Sequence, residues 1–148
     1  MSLTNVFDIA GSGMNAQSIR MNTTASNLAN AESASSSVDE TYRARKPWFE
    51  VMQQQFQNVN EKNQFSTLEG DTGMGVQVAG IVESDAPLQA RFQPDHPMAN
   101  EDGYVYYPNV NVVEEMTDMM SSSRSYQMNV EVMKTAKQML QRTLTLGE

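Results

Sequence analysis

The stretch that decides the fold is residues 111–146, NVVEEMTDMMSSSRSYQMNVEVMKTAKQMLQRTLTL, which contains neither glycine nor proline. Its apolar residues recur at alternating steps of four and three, the spacing of a helix that packs lengthwise against another helix. The positions on this predicted seam are Val112, Met116, Met119, Ser123, Tyr126, Val130, Met133, Lys137, Leu140 and Leu144. At about 1.5 Å per residue the helix would be about 50 Å long, so it needs a partner of similar length.

The residues at the ends of this segment specify where the helix begins and stops. Asn111 can cap the first turn, and the Glu114 side chain is placed to complete a capping box. Lys134 and Arg142 lie toward the other end, where cations are favoured, and Gly147 supplies a stop. The sequence therefore predicts one long helix with a defined start.

The N-terminal residues up to Ala31 supply a candidate partner, because they repeat the same spacing. Their seam positions are Leu3, Phe7, Ala10, Met14, Gln17, Met21, Thr24, Leu28 and Ala31. The two terminal segments therefore predict a helical hairpin. Polar residues such as Gln17 and Ser123 dilute its seam, so two helices alone would be only marginally stable.

Apolar residues outside the seam add more surface than one partner helix can bury. They are Val6, Ile9, Ile19, Met120, Met128, Val132, Met139 and Leu146. This surplus predicts packing against further copies or other subunits. We assign the assembly interface to the apolar seam residues Leu3, Phe7, Met14, Met21, Leu28, Val112, Met116, Met119, Tyr126, Val130, Met133, Leu140 and Leu144.

Between the helices the sequence predicts a small β-containing region, which makes the fold class α+β. Residues 31–40, AESASSSVDE, form a serine-rich run that predicts a flexible linker. The predicted organisation is an axial helix over 1–30, this linker, a β-containing region over 41–108, and a second axial helix within 109–148.

The first part of the β-containing region gives mixed patterns. Apolar and basic residues alternate from Tyr42 onward, which predicts an extended segment that continues up to Pro47. Residues 53–64 are rich in Gln and Asn, and neither helical nor strand periodicity dominates, so they are interpreted as a strand or a loop. The glycines of GDTGMG at 70–75 predict a turn.

The second part of this region gives clearer signals. Residues 76–82 predict a strand with a bulge beside Gly80. Residues 100–103 predict a turn, and a short strand follows at 104–107. Proline-rich sequence before this turn excludes a helix there.

Composition and charge exclude several classes of function. The net charge is −8 without a basic stripe, which argues against binding to nucleic acid. No cysteine is present, so disulfides, thiolate metal sites and a cysteine nucleophile are excluded. The only histidine, His96, lies near Asp95, Glu101 and Asp102, but their spacing matches no standard metal site and indicates an exposed turn. We therefore expect no cofactor, no metal and no catalysis.

The chain also lacks the marks of membrane insertion and of classical secretion. No segment approaches the about 20 apolar residues that span a bilayer. The start, MSLTN, has no basic region followed by an apolar run, so we expect no cleaved signal peptide.

The end of the first predicted helix carries a recognisable motif. Ser26, Asn27, Leu28, Ala29 and Asn30 resemble the signature of flagellar axial proteins, the rod and hook components. The stretches PDHP at 94–97, DGYV at 102–105, PNV at 108–110, EMTDM at 115–119 and RSYQMN at 124–129 resemble, more narrowly, proximal-rod subunits of the flagellar basal body. The resemblance extends over essentially the whole chain.

This resemblance implies a non-enzymatic building block. It implies export without a cleaved signal by the flagellar type III export apparatus, and assembly in the periplasm with other rod proteins and with itself. The assembled rod transmits torque. A second hypothesis is a soluble coiled-coil adaptor or export chaperone that binds one helical partner through the same seam. Circular dichroism separates the two, since an adaptor should melt cooperatively alone, whereas a rod subunit should show weak terminal helix without partners.

Overall fold

The computed structural model describes residues 3–52 and 75–145. Two long terminal helices and four short strands follow one another along the chain. They are α1 (Leu3–Ala29), β1 (Arg45–Val51), β2 (Val76–Glu83), β3 (Gln89–Phe92), β4 (Tyr104–Tyr107) and α2 (Val112–Thr145). The predicted α+β class with helices at both termini is confirmed. The predictions for 53–64 and for most of the turn at 70–75 lie outside the described residues.

The two helices form the predicted hairpin and run in opposite directions. Near one end Arg20 Nη2 donates to Asp118 Oδ1 over 2.8 Å. Further along, Gly13 lies so close to Asn129 that a Cβ atom at Gly13 would be 2.8 Å from Asn129 Nδ2. Since α1 runs back from 20 to 13 while α2 runs forward from 118 to 129, the helices are antiparallel.

Small side chains line the contact between the helices. On α1, Ala10 and Ala16 are buried on either side of Gly13. On α2, the small residues Ser122 and Ala136 are buried in one row, to which the larger buried residue Glu115 also belongs, because these positions are spaced by multiples of seven. Such residues allow two helix backbones to approach closely, as the Gly13 contact shows.

The predicted seam is correct on α1 but only partly correct on α2. On α1 the side chains of Phe7, Met14, Met21 and Leu28 are half-buried, and on α2 so are those of Met119, Met133 and Leu140. The prediction is wrong for Val112, Met116, Tyr126, Val130 and Leu144, which are exposed. Small residues one position earlier, such as Ser122 for Ser123, face α1 instead because they fit the close approach.

At the start of α2, Asn111 caps the helix as predicted, but Glu114 does not make the predicted contact. Asn111 Oδ1 accepts a hydrogen bond from the Val113 backbone N–H over 3.1 Å. Glu114, predicted to complete a capping box, instead accepts a hydrogen bond from Lys46 Nζ over 2.9 Å. Lys46 of β1 therefore binds the Glu114 carboxylate in place of the helix N-terminus.

Strands β1 and β2 form an antiparallel ribbon whose predicted bulge is confirmed. Trp48 pairs with Gly80 and Phe49 with Val78, which leaves Ala79 without a partner. The expectation that the extended segment ends at Pro47 is wrong, because β1 continues through Pro47 to Val51. Pro47 is tolerated because the ribbon has only two strands, so both are edge strands with one side free of the ladder.

Strands β3 and β4 form a second antiparallel pair that is joined to the start of α2. The short strand at 104–107 is as predicted, and the turn before it is closed by Gly103, whose φ is 79°. Strand β3 was not predicted. The serine-rich linker differs from the expected flexible run, since Ser35 and Tyr106 exchange backbone hydrogen bonds of 3.0 and 2.9 Å. Val105 is fully buried at the centre of this part.

Candidate assembly surface

Asn27 of the family motif ties the helical hairpin to the β ribbon. Its side chain is 1% exposed. The amide Nδ2 donates to the Arg45 carbonyl oxygen over 2.8 Å, and Oδ1 accepts from the Arg45 N–H and from the Tyr42 hydroxyl, both over 2.9 Å. A buried amide that is satisfied on both sides fixes the strand start against the helix. Asn27 is therefore a structural residue rather than a contact surface.

The other motif residues have different environments. Asn30 Nδ2 donates to the Ser26 carbonyl oxygen over 2.8 Å, within the last turn of the helix. Leu28 is half-buried and Ala29 is exposed. The motif thus combines one clamp residue with residues that finish the helix.

A second amide clamp, at Asn109, was missed in the sequence. Its Oδ1 accepts from the Ala44 N–H over 2.8 Å, and its Nδ2 donates to the carbonyl oxygens of Ser84 and Ala86 over 3.3 and 2.9 Å. This side chain joins the start of β1 and the end of β2, which lie together at one end of the ribbon, to the start of α2. Asn109 lies between Pro108 and the helix cap, and no local signal there pointed to the clamp.

Two ion pairs reinforce the same junction. Arg20 and Asp118 connect α1 to α2, and Lys46 and Glu114 connect β1 to α2 over 2.9 Å. The hydrogen bond from Lys46 holds the pKa of the Glu114 carboxyl below its ordinary value and raises the pKa of the Lys46 ammonium. Both side chains of the second pair are more than half exposed, so solvent screens the attraction.

The lowered pKa of Glu114 predicts a small pH-dependent contribution to stability. The ionised carboxylate favours the folded state above its ordinary pKa of 4.5, and this contribution is lost as the pH falls through the lowered value. We expect Glu114→Gln to unfold at slightly lower urea concentration than the wild type at neutral pH and at the same concentration in acid. Glu101→Gln is the control, and a difference that grew in acid would contradict the assignment.

The outer surface of α2 carries two apolar patches. The N-terminal patch consists of Val113, Met116 and Met120, which are 73%, 50% and 67% exposed. The C-terminal patch consists of Met128, Val132 and Met139, which are 59%, 46% and 54% exposed. Exposed apolar clusters of this kind are typical of protein interfaces.

The C-terminal patch lies along an open groove of about 560 Å³. Val6 of α1 and the buried Ala136 form part of its wall. The predicted surplus residues Val6, Met120, Met128, Val132 and Met139 therefore lie where another protein could reach them. Ile9 is also exposed, at the margin of α1.

The predicted interface residues fall into two sets in the structure. Phe7, Met14, Met21, Leu28, Met119, Met133 and Leu140 lie within or beside the hairpin contact. Val112, Met116, Tyr126, Val130 and Leu144 are exposed, and we call them the outer stripe of α2. The side chain of Leu3 lies outside the described residues. Which of these side chains a partner covers remains a prediction.

His96 lies in the turn that precedes β4. His96 Nδ1 accepts a hydrogen bond from the Met98 N–H over 3.1 Å. Across residues 3–52 and 75–145, no group of three or more His, Asp and Glu side chains is arranged to hold a metal ion. Neither described helix is long and apolar enough to cross a membrane.

Two family models match the chain, one at each end. The model described as "Flagella basal body rod protein" matches residues 7–32. The model described as "Flagellar basal body rod FlgEFG protein C-terminal" matches residues 101–146. The matched segments contain most of α1 with the following turn, and β4 with α2.

Full-length relatives carry one name. The chain is 45% identical to the flagellar basal-body rod protein FlgC of Salmonella typhimurium. It is 46% identical to the protein of that name from Escherichia coli O6:H1 and 47% identical to the one from Yersinia enterocolitica. Each comparison covers 148 residues, which is 100% of both chains.

Proposed function

Because the chain belongs to the family of flagellar basal-body rod proteins, we propose that it is built into the rod through the apolar faces of its terminal helices. It is a structural subunit of the basal body. The observation that carries the proposal is the exposure of large apolar side chains along α2, which include Met120 at 67% and Met128 at 59%. Proteins that function as monomers rarely expose contiguous apolar patches to water, so both patches favour a role in an assembly.

The arrangement of the two ends supports an axial role. The helices of 1–30 and 109–148 would form the inner layer of a helical assembly, with the linker 31–40 and the β-containing region 41–108 outside. The clamps at Asn27 and Asn109 hold that region to the hairpin, so the subunit would enter the assembly as one body. Contact with other rod proteins suits the methionines of the two patches, because their side chains adapt to non-identical neighbours.

The proposed export route and location of the chain follow from the same role. We propose that the flagellar type III export apparatus delivers the chain without a cleaved signal, and that it becomes part of the periplasmic rod. The lack of cysteine fits this route, since no cross-link can form during passage. The proposed role is to transmit torque and involves no catalysis and no cofactor.

Isolation of basal bodies tests this function against the adaptor alternative. Cells that lack the gene and carry a tagged copy are fractionated, and detergent-resistant basal bodies are analysed by mass spectrometry. A rod subunit is expected in the basal bodies, and the deletion should abolish distal rod and hook. If the protein stays in the cytoplasm, bound to one soluble partner, the rod assignment fails and the adaptor hypothesis gains support.

A further inference from the structure

The N-terminal and C-terminal patches of α2 face different directions. Successive residues of an α-helix turn by about 100°, so the centre of the C-terminal patch lies roughly a third of a turn from that of the N-terminal patch. From Met116 to Val132 the helix also rises by about 24 Å. One straight helix packed along α2 could cover one patch but not both. Covering both patches would therefore require two separate contacts.

The two ends of the molecule carry opposite charge. In the part of the chain that the structure describes, five exposed acids in the region attached to the start of α2 form no ion pair, and they outnumber Arg91, the exposed cation of that region without an ion pair. These acids are Asp39, Asp85, Asp95, Glu101 and Asp102.

On the second half of α2, the exposed cations Arg124, Lys137 and Arg142 likewise form no ion pair among the described residues. A second copy that placed its acidic end beside these cations would gain electrostatic attraction. Copies in register would instead bring like charges together.

We propose that copies of this chain associate head to tail through α2, with the N-terminal patch of one copy against the C-terminal patch of the next. This inference rests on the proposed function and adds which surfaces meet. The helices run parallel and are displaced by about 24 Å along their axes. In an antiparallel pair, the N-terminal patch of each copy would have to contact the C-terminal patch of the other at the same time. The two patches face different directions, so this arrangement is excluded. The contact is heterologous and leaves one free patch at each end, so it continues into an open series.

Variants that block one patch each test this arrangement in solution. The N-blocked variant carries Val113→Asp with Met120→Asp, and the C-blocked variant carries Met128→Asp with Met139→Asp. The control carries Gln138→Asp with Gln141→Asp, which adds the same charge at exposed positions of the second half that face away from the C-terminal patch. Circular dichroism confirms that each is folded, and sedimentation velocity reports size against concentration.

The expected result is specific to a head-to-tail contact. Wild type and control should form larger species as concentration rises, whereas each blocked variant alone should associate at least about tenfold more weakly. An equimolar mixture of N-blocked and C-blocked chains should form a dimer of one each and grow no further, because one working patch remains on each. A mixture that stays monomeric, or a single blocked variant that associates as well as the wild type, overturns the proposal.

Cross-linking in assembled basal bodies separates this proposal from the rod function itself. Because the chain has no cysteine, Met120→Cys and Met139→Cys introduce unique thiols. Cells that express both variants should give a disulfide-linked dimer that joins 120 to 139, and cells that express either one should not. If the chain is present in basal bodies but these thiols link only to other proteins, the rod function stands and the self-contact is wrong.

Discussion

Replacing Asn27 with leucine is expected to lower the free energy of unfolding by about 3 kcal/mol. The buried side-chain amide is lost, and the groups that it bound are left without a hydrogen-bond partner. The Arg45 N–H, the Arg45 carbonyl and the Tyr42 hydroxyl each lose a hydrogen bond of 2.8 to 2.9 Å. Leucine keeps the helix and fills a similar volume, so the loss reports on polar contacts rather than on a cavity. Urea unfolding followed by circular dichroism measures the change.

Asn30→Leu is the matched control in the same motif. The Asn30 side chain donates to the nearby Ser26 carbonyl rather than to the β ribbon, so the expected loss is below about 1 kcal/mol. Hydrogen exchange of the Arg45 amide adds a local readout, which should accelerate in Asn27→Leu alone. Equal losses in both variants would show that the motif acts through the helix end and not through the clamp.

The end of α1 and the start of α2 could be predicted because their signals are local, whereas the stop predicted at Gly147 lies outside the described residues. The absence of glycine and proline in 111–146, the cap at Asn111 and the serine-rich run after Asn30 each act over a few residues. The bulge beside Gly80 is local for the same reason. These features need no knowledge of what the element packs against.

The face of α2 that meets α1 could not be predicted from the same pattern. The row that contains Ser122 and the row that contains Ser123 have identical spacing and differ by one residue. The pattern predicts the row of Ser123 at the contact, because it is the more apolar one and apolar side chains are usually buried. The structure buries the row with Ser122 and Ala136, and Asn129 of the same row lies against Gly13. The rule fails here because large apolar residues of α2 stay exposed, which the proposed assembly would explain.

The remaining differences involve contacts between distant parts of the chain. Strand β3 has little apolar periodicity, and it exists because β4 and then Ser35 continue the pairing. The Asn109 clamp joins residues that are far from it in sequence, such as Ala44. No short window contains both partners of such a contact, so neither feature could be derived without the fold.

Met133 and Val130 lie three residues apart on α2, and the structure now gives them different roles. Met133 is half-buried beside the hairpin contact, whereas Val130 belongs to the outer stripe and is 41% exposed. Met133→Asp is expected to lower the free energy of unfolding of the isolated chain by about 2 to 4 kcal/mol, because it places a charge against α1. Val130→Asp should change that free energy by less than about 1 kcal/mol.

In cells the variant with the larger effect should be Val130→Asp, because under the proposed function the outer stripe is buried only when subunits assemble. Val130→Asp chains should be made and exported, since neither step requires a packed outer stripe, and they should then accumulate unassembled. Such cells are expected to lack distal rod and hook and to be non-motile. Glu131→Ala and Lys134→Ala, which alter an exposed pair with 3.6 Å between Nζ and Oε2 on the same turns, serve as controls and should leave motility intact. Complete, motile flagella in the Val130→Asp strain would show that the outer stripe does not hold the rod together, whatever the stability of the isolated subunit.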